Sequence, residues 1–161
     1  MGGGIAVVAI IAVVSLIVFG GGNGEEVRGL SVRGAGTLIA KETQYDFGRI
    51  SMAAGKVAKE FKIKNTGSGA VTATRLTTSC MCTTAELAYQ GRSVGPFGMP
   101  GHGFVPGIKT VIAPGDEAII KVVFDPAAHG PAGVGAIRRE VYLEQEGGSR
   151  LTLSFSAFVT P

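Results

Sequence analysis

The chain has 161 residues, 15 Lys+Arg against 12 Asp+Glu, no Trp, and a formal net charge of +3. That length suits one domain plus an anchor. The mild, scattered basic excess forms no dense stripe and gives no reason to expect nucleic acid as a partner. Gly is heavily used (26 residues) and the residues after the N-terminal segment are rich in Val, Ile and Thr, a composition that favours short strands joined by turns.

Ile5–Phe19 reads IAVVAIIAVVSLIVF, an uncharged run flanked by Gly2–Gly4 and Gly20–Gly22. With its glycines it approaches the roughly 20 residues that cross a bilayer as a helix. An all-apolar helix has no polar face to show water. A secretory leader would carry a basic residue ahead of the apolar run. None precedes Ile5, so residues 1–22 are read as an N-terminal transmembrane signal anchor, with cleavage after the glycines left open. No Cys follows the run, which argues against a lipid-modified N-terminus. Arg28 and Arg33 lie after it, and read by the positive-inside rule they favour a cytoplasmic domain. Residues 23–42, rich in Gly and charge, are expected to be a flexible tether.

The folded domain is expected over 43–161. Tyr45–Ile50 reads as a short extended run. Val57, Phe61 and Ile63 share a parity that Lys62 and Lys64 oppose, so the Lys56–Lys64 lysines are read as a solvent face. Asn65-Thr66-Gly67 is a turn signal. Ala70–Ser79 alternates and is rich in Thr. Ile108–Ile112 ends at the Ala113-Pro114-Gly115-Asp116 turn. Ala118, Ile120, Val122 and Phe124 fall on one face, as do Ile137, Val141 and Leu143, and, after Gly147-Gly148, Leu151, Leu153, Phe155, Ala157 and Val159. About seven strands with turns between them predict an all-β, immunoglobulin-like β-sandwich. The segment Thr83–Gly107, with six Gly and three Pro in its second half, reads as a long Gly/Pro-rich loop.

The order of these runs resembles the bacterial DUF1573 family, related to Hydin-like immunoglobulin domains. The residues that carry the resemblance are Tyr45-Asp46-Phe47-Gly48-Arg49-Ile50, Phe61-Lys62-Ile63-Lys64-Asn65-Thr66-Gly67, Thr78-Ser79-Cys80-Met81-Cys82-Thr83, Ile112-Ala113-Pro114-Gly115-Asp116 and Val122-Val123-Phe124-Asp125. Together they span roughly Tyr45–Val159. Ser79–Thr83 is the most specific piece. The chain departs from the family pattern in having Met rather than Gly between the cysteines, and in the Gly/Pro insertion that follows. The resemblance implies an immunoglobulin-like fold and a place secreted or anchored outside the cytoplasmic membrane; with the apolar segment, the expectation is a single-pass protein of the cell membrane with its domain facing the periplasm or cell exterior, against the charge rule. It implies no activity.

Cys80 and Cys82 are the sole cysteines, and three readings compete. Two residues apart on a strand, both would point to one face, either as a disulfide or as free thiols. Two soft sulfurs also suit copper or zinc. Two ligands are too few for a closed zinc site, and Met99 and His102 in the insertion are the candidates to complete it, with His129 farther along. Each has an ordinary reading too: Met99 as a lid over the core, the histidines as solvent-facing loop residues. Redox catalysis of the thioredoxin type wants Cys-x-x-Cys at a helix start, which this chain lacks. No Gly-x-Ser-x-Gly, phosphate-binding loop or His-Glu-x-x-His is present. The expectation is therefore a non-catalytic binding or scaffolding module with no cofactor, whose partners are the membrane, through the N-terminal helix, and other envelope proteins. A copper- or zinc-binding protein, or a thiol-redox one, is the alternative.

Overall fold

The computed structural model describes residues 35–161. The anchor expected over 1–22 and most of the tether lie outside the described residues. Among those described, no helix is long and apolar enough to cross a membrane.

Among the described residues, ten strands form two five-stranded sheets packed as a β-sandwich. In chain order they are β1 (Leu38–Ala40), β2 (Gln44–Ser51), β3 (Val57–Asn65), β4 (Val71–Thr78), β5 (Thr83–Tyr89), β6 (Arg92–Phe97), β7 (Thr110–Ile112), β8 (Glu117–Phe124), β9 (Gly135–Gln145) and β10 (Arg150–Thr160). One sheet has the order β1-β3-β8-β5-β6 and the other β2-β10-β9-β4-β7. All pairings are antiparallel except β2 with β10.

Period-two alternation explains which residues fill the interior. Phe61 and Ile63 of β3, Ile120, Val122 and Phe124 of β8, Val141 and Leu143 of β9, and Leu153, Phe155 and Val159 of β10 are all buried. Phe155 packs between Phe124 (ring centroids 5.3 Å apart) and Phe47 (5.4 Å, edge to face). Both sheets contribute one face to a single core, as sandwich packing requires.

The structure changes four sequence expectations. The described residues form ten strands, where about seven were expected. Leu38–Ala40, placed in the tether, is a strand paired to β3 with Leu38 buried, so the sandwich begins before Thr43. Lys59 does not join the solvent face: it shares the parity of Phe61, lies 4.1 Å from the Tyr45 ring centroid, and pairs with Glu42 at 2.6 Å.

The fourth change is the largest. The expected loop at 83–107 is mostly a hairpin, β5–β6, whose Thr83, Ala85 and Leu87 are core residues. Its two-residue turn has Gln90 at φ 49° and Gly91 at φ 74°. Both values are positive, as in a type I′ hairpin turn, where Asn-Gly or Asp-Gly is the usual signal. Gln-Gly hides that turn from inspection. Pro96 cannot donate to a ladder, which suits β6 to the sheet edge it occupies. Gly95 is required there: at φ 123°, a Cβ would lie 2.9 Å from the Ala85 carbonyl oxygen.

Asn65 organises the opposite corner. It is fully buried, and its Oδ1 accepts from the Thr37 and Gly67 N–H groups, both at 3.1 Å. Its Nδ2 donates to the Gly69 carbonyl (2.8 Å) and the Ile112 carbonyl (3.0 Å). One amide thus joins the start of β1, the β3–β4 turn and β7.

Candidate functional site

Ser79–Cys82 is the short connection that carries the chain from β4 in one sheet to β5 in the other. The cysteines therefore sit in a turn, not on a strand, and Met81 between them is not directed away from Cys80 by strand alternation. The Thr83 N–H donates to the Cys80 carbonyl at 3.1 Å, closing the turn. The Thr78 hydroxyl, buried, lies 3.0 Å from both the Cys80 and the Thr83 carbonyl oxygens. Neighbouring strands fix the turn from outside. Ser79 N–H donates to the Glu140 carbonyl, and Glu140 N–H to the Ser79 hydroxyl, each at 2.9 Å. The Asp125 N–H donates to the Cys82 carbonyl, also at 2.9 Å.

Cys80 and Cys82 form a disulfide. Three donors and an imidazole nitrogen face its sulfurs. On Cys80 Sγ these are His129 Nε2 and the Cys82 N–H, both at 3.2 Å. On Cys82 Sγ they are Arg139 Nε at 3.3 Å and the Thr83 hydroxyl at 3.7 Å. His129 is held by the segment after β8. There Asp125 Oδ1 accepts from the Ala127 N–H (3.0 Å), and His129 precedes the short 3-10 turn Gly130–Gly133 without a side-chain capping bond. Arg139 projects from β9 and also donates to the Arg138 carbonyl through Nη1 at 2.8 Å. Neither of the two ion pairs among the described residues involves Arg139.

Cys80, Met81, Met99, His102, His129 and Arg139 line one cavity of about 350 Å³. The four residues expected from sequence thus converge: Cys80, Met99 and His102 at the cavity wall, and Cys82 buried and bonded to Cys80. The contact to sulfur, however, comes from His129. The ligand atoms of Cys80, Cys82 and His129 lie within 4.8 Å of one another. His129 is 49 residues from Cys80 and Arg139 is 57 from Cys82, distances that no sequence spacing signals.

A second concavity, about 580 Å³, lies between β6 and β7, the neighbouring edges of the two sheets, lined by Leu87, Tyr89, Arg92, Val94, Lys109 and Val111. The Tyr89 hydroxyl donates to Asp116 Oδ2 at 2.6 Å and accepts from the Ala113 N–H at 3.2 Å. The Ala113 N–H lowers the phenol pKa, but Asp116 and burial raise it, and the net direction is upward. Tyr89 therefore stays neutral in the groove.

The fold and site together define a β-sandwich domain with a cysteine turn bridging its sheets. Residues 38–96 match the family described as protein of unknown function (DUF1573), the family that the motif order resembles. The match takes in the Cys80–Cys82 turn and ends before the Ile112–Asp116 turn. No curated protein matches the chain. Among solved structures, it is similar to a protein of unknown function from Porphyromonas gingivalis W83, with a TM-score of 0.59 at 16% identity. That similarity covers 83% of this chain and 51% of the other, so the chain spans about half that protein's length. It is also similar to the ASH / PapD-like domain 7 of human CEP192, with a TM-score of 0.44 at 12% identity, covering 76% of this chain and 84% of that domain.

Proposed function

We propose that this chain is a non-catalytic binding module with an immunoglobulin-like sandwich, held at the outer face of the membrane by the apolar segment at its N-terminus. It engages envelope proteins through the groove between β6 and β7. The observation that carries the reading is this groove: two strand edges with no partner strand among the described residues flank an apolar floor of Leu87, Val94 and Val111. Free edges accept an extended peptide by strand addition, with alternate side chains filling the floor. The exposed Arg92 and Lys109 at the rim favour a partner strand that alternates apolar and acidic residues. The disulfide supports a place outside the cytoplasm, because such bonds persist in oxidising compartments.

The test is a peptide-display selection against the full chain in lipid nanodiscs. The selection is expected to enrich peptides of alternating apolar and acidic character. Their binding falls about tenfold or more with Lys109→Glu or Val111→Asp, since a mismatched charge or a buried acid costs at least about 1.4 kcal/mol. Enrichment of peptides indifferent to both changes would overturn the assignment of the surface. Externally added protease that leaves the domain intact in spheroplasts, while cleaving it after lysis, would overturn the location.

A further inference from the structure

We infer that the Cys80–Cys82 turn is a redox-gated site for monovalent copper, with Cys80, Cys82 and His129 as the ligands and Arg139 as the charge-balancing neighbour.

The disulfide is poorly placed to staple the fold. Its cysteines are two residues apart. In the chain-entropy account, a bridge stabilises by the loop it closes, and this loop is about as short as a bridge can close. The turn is already fixed by Thr78, Ser79, Asp125 and the Thr83 N–H. The surroundings favour the reduced, charged form instead. Divalent sulfur is a weak acceptor, yet three donors and an imidazole nitrogen converge on this pair, one of the donors a guanidinium with no carboxylate partner among the described residues. Such donors interact far more strongly with thiolates than with a disulfide.

The gating step is thiol–disulfide exchange with a small-molecule or protein dithiol. The reductant's two sulfurs become a disulfide, the Cys80–Cys82 bond breaks, and the reductant's two protons pass to the cysteine sulfurs. Binding of Cu(I) then releases both protons to solvent and leaves two thiolate–copper bonds and one imidazole–copper bond.

The donor set selects the ion. Two thiolates and one imidazole, whose atoms already lie within 4.8 Å of each other, provide a soft three-coordinate site. Zinc would require a fourth ligand for a closed site. Two thiolates around Cu(I) carry one net negative charge, and the Arg139 guanidinium, 3.3 Å from Cys82 Sγ, offsets it. The thioethers of Met81 and Met99 line the approach, and thioether sulfur is a copper(I) donor. His129 is exposed, so its ring can turn from hydrogen bonding to coordination without disturbing the core.

The experiment titrates Cu(I) anaerobically, in competition with a chromogenic Cu(I) chelator, into the full chain in detergent, both oxidised and after reduction with a thiol that is then removed. One Cu(I) per reduced chain is expected, with none held by the oxidised chain or by Cys82→Ser. Arg139→Gln is expected to weaken binding by about tenfold, as when a ligand's supporting group is removed, and His129→Ala, which removes a ligand itself, by about 100-fold or more. X-ray absorption should report two sulfur neighbours and one nitrogen. Circular dichroism of His129→Ala, an exposed site, controls for folding. The inference is overturned if the oxidised chain binds equally well, if His129→Ala binds as tightly as the parent, if zinc displaces Cu(I) at equal concentration, or if the reduced chain exchanges thiols but holds no copper.

Discussion

Two turns of this sandwich bear distinctive sequence, and they are built in opposite ways. At Asn65-Thr66-Gly67 a buried amide meets four backbone partners, and all of its hydrogen-bonding groups are used inside the fold. At Ser79–Cys82 the backbone is held mainly by Thr78, Ser79 and Asp125, and the sulfurs add only the Cys82 N–H bond to Cys80 Sγ. They face an imidazole and a guanidinium on a cavity wall. The first turn consumes its polar groups in joining strands. The second leaves its reactive atoms over for something else. A motif residue is structural or chemical according to where its partners come from, and both turns are short strings of residues set between strands.

The contrast can be broken by mutation. Asn65→Leu is expected to have the largest effect, a loss of about 3 kcal/mol, because several buried backbone groups lose their partners together. Chemical denaturation measures it, and a loss below about 1 kcal/mol would remove the contrast. Thr78→Val keeps the shape and deletes the hydroxyl that faces both carbonyls, at a cost of about 1–2 kcal/mol. The same variant should loosen the cysteine turn, seen as faster amide exchange at Thr83. Removing the bridge with Cys80→Ser and Cys82→Ser together should cost no more than about 1.5 kcal/mol, the chain-entropy value for so short a loop, against about 3 for a fifteen-residue loop. A larger loss would make the disulfide a staple after all. His129→Ala should be the smallest, within about 0.5 kcal/mol, since an exposed side chain outside the core contributes little. If it destabilised the fold as Asn65→Leu does, the histidine would belong to the architecture rather than to the site.

Alternation located β3, β4, β8, β9 and β10, because each buries one parity of apolar residues against a common core, while β2 and β7 read only as short runs, β7 marked by the turn that follows it. Three strands escaped. β1 is three residues long with one buried side chain, too short to show a period. The β5–β6 hairpin was obscured by Gln90 in a position usually taken by Asn or Asp, and by Pro96 and Gly95 within β6. Lys59 misled because its parity is that of the core, and only a Glu42 partner and a Tyr45 ring make that placement affordable in charge terms.

The candidate site divides in the same way. Cys80 and Cys82 were legible from the sequence, since two adjacent cysteines in a chain otherwise without them invite either a bridge or a metal. Met99 and His102 reach the same cavity because the hairpin that ends at Phe97 returns the following segment to the cysteine turn. The sequence could not select His129 over His102, nor indicate Arg139. Those two come from the segment after β8 and from β9, and strand pairing across two sheets sets their distance to sulfur. By itself the sequence determined a β-rich chain, the faces of most strands and a reactive pair of cysteines, because period, composition and residue chemistry are local properties. Which imidazole and which cation meet those cysteines was decided by tertiary structure, because contacts between residues some fifty positions apart exist only after the sheets have closed on their core.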